Sequence, residues 1–384
     1  YKGEFANGPL TLGIGLEADD KISTFFFKKY MAPRPNGSRD IPSNNPMKSL
    51  QDQAVDSIAR AYLRQPGTEG MSIGILKNGQ TYFYGYGYAD KEKKNIPSAN
   101  TIFELGSISK TFTATIAALA IGEGKLKLDD PVNKYLPDSI PSLQYNNRVV
   151  TIKDLLNHTS AFPRMPADFQ DGRIDERGII IYPIEKFFSW LKGLKLTREP
   201  GQKSEYSNAA LALVSTVLQR IYNMSYEQLV QKYIGEPLGM RDTKIDILQA
   251  DSINYAKGYK EDGSYNFPRN LPPIYQGAGG LRSTATDMLK YAKAELAPPN
   301  KKLRKAMLLT RDTTFSDKNY HIGMVWVLLK YGNLDAIFHN GATGGFRSYL
   351  SIAPEKEFAV IVLVNSTVGA DKAGADLMRW LNRN

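Results

Sequence analysis

The sequence predicts an α+β protein: an antiparallel β-sheet flanked by helices, with an inserted all-helical domain. Three observations point there. β-prone runs gather at both ends of the chain, the stretch between them repeats apolar residues at helical spacing, and strand-rich ends around a helical middle suggest that the termini share one sheet. The expected organisation is an N-terminal extension or loop over 1–46, a sheet domain from 47–106 plus 300–384, and a mainly helical domain over 107–299. The active site is expected at the junction, where clefts are common.

Taken in order, residues 1–31 give no assignment, and 32–46 are rich in Pro, Asn, Ser and Gly, so a loop is expected and the fold proper starts near Met47. Leu50, Ala54, Ile58, Ala61 and Tyr62 follow helical spacing over 48–63. The runs 71–76 and 81–88 flank Lys77-Asn78-Gly79-Gln80, where Asn-Gly signals a hairpin. Helical periodicity follows at 109–121, 209–222 and 226–234. Strands are then expected at 322–330, 336–339, 348–353 and 358–364, with turns at Tyr331-Gly332-Asn333 and Pro354-Glu355-Lys356. A helix over 371–381 closes the chain.

A chain of 384 residues, 42% of them apolar, can bury a sizeable core and is long enough for two domains. Its apolar stretches, such as 358–364, stop well short of the roughly 20 residues a membrane-spanning helix needs, so no transmembrane segment is expected. The chain starts at Tyr1, a start compatible with removal of an export signal. The absence of Cys excludes disulfides, thiol nucleophiles and Cys-type metal sites. A net charge of +10 invites an anionic partner, nucleic acid or a polyanionic cell surface. The basic residues are scattered, however, with short clusters such as Lys91-Glu92-Lys93-Lys94, which reads as a solvated surface without a nucleic-acid partner. The three histidines, His158, His321 and His339, form no HExxH pair, so neither a metal nor another cofactor is expected.

Three stretches carry candidate chemistry. In Leu105-Gly106-Ser107-Ile108-Ser109-Lys110, Ser107 stands at the start of a helix and Lys110 follows three residues on, so both side chains share a face. A Ser hydroxyl is a poor nucleophile until a base takes its proton, and a lysine serves once burial or nearby positive charge lowers its pKa. The spacing alone is weak: Ser189-Trp190-Leu191-Lys192 has it too. In Glu205-Tyr206-Ser207-Asn208, Tyr206 can exchange protons near Lys110 and the Asn208 amide can bond Lys110 and a substrate carbonyl. Equally, Asn208 can cap the following helix while Tyr206 packs. In His339-Asn340-Gly341-Ala342-Thr343-Gly344-Gly345-Phe346-Arg347 a strand ends in glycines that allow close backbone approach to a ligand, and the Ala342 and Ser107 N–H groups can form an oxyanion hole. A glycine-rich hairpin with an incidental His fits that stretch as well.

Together, in this order, the three stretches resemble the penicillin-recognising serine hydrolases, most closely the class C β-lactamases and the related D-alanyl-D-alanine peptidases and esterases. The family pattern of Ser-x-x-Lys, Tyr-x-Asn and Lys/His-x-Gly is matched by Ser107/Lys110, Tyr206/Asn208 and His339/Gly341. Further similar segments include Asp129-Asp130-Pro131, Pro200-Gly201, Glu236-Pro237-Leu238-Gly239-Met240 and Gly279-Gly280-Leu281, so the resemblance spans roughly 50–380. It implies a serine β-lactamase-like fold, a periplasmic or secreted location and no cofactor. It implies as substrate a β-lactam, a D-Ala peptide or an ester, attacked by Ser107. Lys110 and Tyr206 would handle the proton, the Ser107 and Ala342 amides would hold the oxyanion, and Tyr206, assisted by Lys110, would act as base in deacylation.

One departure bears on specificity. The family's class C members usually carry a lysine where this chain has His339, and that lysine is a cation near the substrate carboxylate. If His339 replaces it by protonation, KM for anionic substrates should rise from about pH 6 to 8. Arg347 either supplies the missing charge or is a strand-surface side chain pointing to solvent. The segment 160–165, where the family often places a Gln near the ligand amide, has none before Gln170. The leading reading is hydrolysis of β-lactams or D-alanyl peptides. A carboxylesterase and a catalytically silent cell-wall-binding protein are the alternatives.

Overall fold

The computed structural model describes residues 2–3, 10–16, 22–29, 40–171, 174–175, 180–247, 249–266, 270–318 and 320–384. Two compact units are distinguished, Tyr1–Asp40 with Arg64–Pro66, and Ile41–Leu63 with Gly67–Asn384. In the first, the backbone forms an antiparallel meander of Lys2–Gly3, Leu10–Leu16 and Ile22–Lys29. Strands thus occupy part of the span expected to be extension or loop. The segment Ile22–Lys29 is rich in aromatic and β-branched residues, the composition that suits a pleated strand.

The second unit is built on one antiparallel sheet. Its strands are β1 (Gly70–Lys77), β2 (Gln80–Gly87), β3 (Val327–Tyr331), β4 (Leu334–Ala342), β5 (Arg347–Ala353) and β6 (Phe358–Val364), with two short pieces, Phe315–Ser316 and His321–Ile322, at one edge. Across the sheet the edge pieces are followed by β3, β4, β5, β6, β1 and β2. The two ends of the chain therefore join through β6 and β1, in a register that sets Val364 opposite Met71 and Phe358 opposite Lys77.

Both faces of this sheet are covered, and β6 shows why its sequence is an unbroken apolar run. Ile361 and Leu363 enter the core shared with the helical layer, whereas Val360, Val362 and Val364 enter a second core on the opposite face. A half-exposed strand would alternate with polar residues; one covered on both sides does not. The outer face is closed by α1 (Leu50–Leu63) and the C-terminal helix α6 (Asp371–Arg383). The inner face carries α2 (Ser109–Gly122), α3 (Asn208–Tyr222), α4 (Ala285–Leu296) and α5 (Lys301–Arg311). Helix α2 is buried from Ser109 to Ala120, so its apolar residues run all round instead of along one stripe. None of the described helices is long and apolar enough to cross a membrane.

The expected strand over 322–330 is broken. After Ile322 the chain leaves the sheet, the Met324 N–H donating to Thr310 O at 2.8 Å and the Val325 N–H to Leu156 O at 2.8 Å, with Val325 at φ +62°. Those backbone groups bond the helical layer and are lost to strand pairing. Strand β4 in turn runs on to Ala342, past the expected end at 339, because its glycine keeps pairing with Ser348 of β5.

Candidate active site

Ser107 lies in a single 3₁₀ turn, Gly106–Ile108, that leads into α2. Gly106 has φ +53°, in the left-handed region, and a β-carbon there would lie 2.7 Å from Ala342 N and 2.9 Å from Ala342 O. The missing side chain lets the Ser107 turn rest directly on the end of β4. Gly341 makes the same contact from the strand side, since a β-carbon there would overlap Leu105 O. Ser348 secures the junction by donating from Oγ to Leu105 O at 2.7 Å. The backbones of Ser107 and Ala342 thereby meet at the wall of a cleft of about 360 Å³.

Lys110, one turn into α2, is fully buried. Its Nζ stands 3.1 Å from Ser107 Oγ and donates to Asn208 Oδ1 at 2.8 Å and to Ala278 O at 2.5 Å. Burial first, and then the positive charge of Arg164, hold its pKa well below the ordinary lysine range. A neutral amine has two N–H donors and one lone pair. Nζ also points at Ser107 Oγ, and in the neutral form, with both donors taken by Asn208 and Ala278, the lone pair is the part of the amine that faces the Ser107 hydroxyl.

The second stretch separates its two open readings. Ser207, not Asn208, is the N-cap of α3, its Oγ accepting the Ala210 N–H at 3.0 Å. That frees the Asn208 amide, in the first turn of the helix, to reach Lys110. Tyr206 does more than pack, because its hydroxyl donates to Ser107 Oγ at 2.5 Å. Burial pushes its phenol up to about 12, against opposing contributions from Ser107 and Arg164, so it keeps its proton near neutrality.

Two residues at this site went unrecognised in the sequence. His158, at φ +63°, accepts the Ser207 N–H on Nδ1 at 3.2 Å and sets its ring 4.6 Å from that of Tyr206. Burial, and then the neighbouring Lys110, keep it well below the usual histidine range, as a neutral spacer. Arg164 accepts the Asn208 N–H on its carbonyl at 2.9 Å, and its guanidinium carbon lies 4.9 Å over the Tyr206 ring. The signal in the sequence is position: Arg164 falls in the segment 160–165, where the family often places a Gln.

The third stretch is only partly assembled as expected. Gly341 and Ala342 meet the Ser107 turn, and His339 is nearby but buried, its Nδ1–H donating to Asn340 O at 2.7 Å. Burial, and then the charge of Lys110, push His339 down to about 3, so it is not a cation. The Asn340 side chain leaves the site and donates to Asp371 Oδ1 at 2.7 Å, at the start of α6. Arg347 also turns away: it donates to Thr343 O at 2.7 Å and Phe346 O at 2.8 Å, holding the loop between β4 and β5, and interacts with Asp371 and Tyr62 on the outer side. Neither expected reading of Arg347, substrate cation or free surface arginine, describes it. Ser189 and Lys192, the second Ser-x-x-Lys, are exposed on a helix away from this cluster.

The Beta-lactamase family model matches residues 55–383. The chain belongs to the beta-lactamase family. Among its relatives, the Beta-lactamase of Pseudomonas fluorescens is 27% identical over 348 residues, covering 82% of this chain and 93% of that protein. The D-alanyl-D-alanine-carboxypeptidase/endopeptidase AmpH of Escherichia coli (strain K12) is 28% identical over 328 residues, with 81% and 83% covered. Among solved structures, a class C beta-lactamase superposes with a TM-score of 0.78 at 25% identity, covering 87% of this chain and 97% of that one. The D-alanine Carboxypeptidase AmpC from Burkholderia cenocepacia gives 0.74 at 26% identity, with 85% and 98% covered.

As a beta-lactamase family member the protein is a serine hydrolase. With His339 held near 3, it does not titrate between about pH 6 and 8, so the expected result is a flat KM for anionic substrates in place of the rise. The proton cost appears in stability instead. Below about 6.5 the unfolded chain binds a proton that the folded chain refuses, so stability falls by about 1 kcal/mol per pH unit as the pH drops toward 4. His339→Gln should lessen that slope of the urea midpoint with pH, leaving the part that His158, also held well below the usual range, contributes. A KM that climbs from pH 6 to 8 in the wild type and not in His339→Gln would restore the cationic role.

Proposed function

We infer that the protein hydrolyses β-lactams or D-alanyl peptides through an acyl-enzyme on Ser107, in the periplasm or outside the cell, with a small molecule or peptide as its partner and no nucleic acid. The observation that carries this reading is the state of the two groups on Ser107 Oγ: a buried lysine driven toward its neutral amine and a tyrosine holding its proton. As Oγ attacks the carbonyl, its proton passes to Lys110 Nζ. The Ser107 and Ala342 N–H groups take up the developing oxyanion. Tyr206 gives its proton to the leaving nitrogen and is reprotonated from Lys110. In deacylation water bonds to the carbonyl carbon and loses a proton to Tyr206 as Tyr206 passes its own to Lys110; the bond to Oγ then breaks and Lys110 returns the proton to Ser107. The tyrosine is then a relay and the lysine the base, which modifies the role expected for Tyr206 from the resemblance. Support for the substrate class comes from the names of the relatives, a beta-lactamase and a D-alanyl-D-alanine-carboxypeptidase/endopeptidase.

Incubation with benzylpenicillin should add one penicilloyl mass to the protein, located on Ser107 by peptide mapping and absent in Ser107→Ala. No adduct at millimolar ligand, with short acyl esters still turned over, would sink the substrate class. A second reading, a carboxylesterase, is favoured by one observation: with His339 neutral, β4 offers no cation to a substrate carboxylate. It is supported if p-nitrophenyl butyrate is hydrolysed far faster than nitrocefin.

A further inference from the structure

The cleft beside Ser107 is lined by two arginines among the described residues, Arg164 and Arg282. Arg282 is spent on the fold. It lies 3.7 Å from Glu104, donates to Ile245 O and Asn270 Oδ1, and is buried. Lys110 is buried and driven toward the neutral form, His339 is buried and neutral, and Arg347 faces the other way. Arg164 is different in every respect. It is exposed, pairs with no carboxylate among the described residues, and rests on the face of Tyr206, a contact that fixes a guanidinium without neutralising it. The hydroxyl of that same tyrosine donates to Ser107 Oγ, which places the cation beside the atoms where a scissile bond must lie.

We propose that Arg164 is the specificity-determining residue that recognises a carboxylate on the leaving part of the substrate. The guanidinium fork matches a carboxylate through two parallel N–H donations, and a side chain already held on an aromatic face loses little freedom in making them. The cation that β4 lacks, with His339 buried and neutral, is present in the cleft lining at Arg164. Because the segment also accepts the Asn208 N–H through the Arg164 carbonyl, the recognition group and the first turn of α3 are set by the same stretch of backbone. The inference rests on Ser107 as the acylated nucleophile but not on the β-lactam or peptide assignment.

The test uses two esters of one acyl group, a 3-carboxyphenyl and a 3-carbamoylphenyl ester, which differ only in the charge carried by the leaving part. The measured quantity is the ratio of their kcat/KM values, which is independent of how much of a variant folds. Arg164→Gln should lower the wild-type ratio by about ten- to a hundredfold, chiefly through KM of the acid, as expected for one lost hydrogen-bonded charge contact. Arg164→Lys should retain part of the preference. A ratio unchanged in Arg164→Gln, including an equal fall for both esters, overturns the proposal and assigns Arg164 to the support of Tyr206 and Lys110. Failure of the underlying reading shows separately, as a Ser107→Ala protein that hydrolyses both esters like the wild type.

Discussion

Lys110→Arg is expected to lose at least about a thousandfold in kcat/KM on any substrate the wild type turns over, although the charge is retained. A guanidinium cannot be deprotonated in a protein, so it can donate to Asn208 and Ala278 but cannot accept the Ser107 proton. Lys110→Met should lose as much, because a thioether accepts no proton, while fitting the fully buried site better than a guanidinium. Calorimetry on both variants separates a folding defect from a chemical one. The pH profile of wild-type kcat/KM should fall on the acid side as Lys110 gains its proton, at a pH well below the ordinary lysine value. An active Lys110→Arg enzyme would show that the residue works as a fixed cation and not as a base.

Gly106→Ala is expected to cost about a hundredfold or more in kcat, the scale of losing one oxyanion donor, together with about 1–2 kcal/mol of stability. The turn must keep φ +53°, which an L-residue resists, and the new methyl would stand 2.7 Å from Ala342 N. Either the turn or the end of β4 has to move, and each carries one of the two amides. KM should change far less than kcat if the damage is confined to the transition state. A Gly106→Ala enzyme with wild-type kcat would mean that the two amides do not act together on the oxyanion.

Ser107, Lys110, Tyr206 and Asn208 are legible in the sequence because each sits at a helix start or a fixed helical offset, where local geometry decides what neighbours what. Even there the linear reading left Asn208 open, and only the Ser207 cap shows that its amide is free for Lys110. The C-terminal stretch is less legible because its outcome depends on which face of β4 each residue takes and on what lies above it. His339 has a histidine's ordinary chemistry in sequence and loses it through burial against Lys110. Arg164 has no motif to announce it, and its importance comes from the ring beneath it, contributed by a residue 42 positions on, Tyr206. The break at 323–326 was hidden for a similar reason: the run looks like a strand, but the Met324 and Val325 N–H groups are claimed by the helical layer and the Gly323 N–H by Trp326 O.

The three partners of Lys110 Nζ come from separate parts of the chain, the start of α2, the start of α3 and Ala278 ahead of α4. Before these meet, the amine is solvated, keeps its proton as any exposed lysine does, and leaves Ser107 an ordinary alcohol. In a chain where these parts have not met, Ser107 has no neutral base beside it, so the pairing depends on the assembled tertiary structure and not on the four-residue spacing alone.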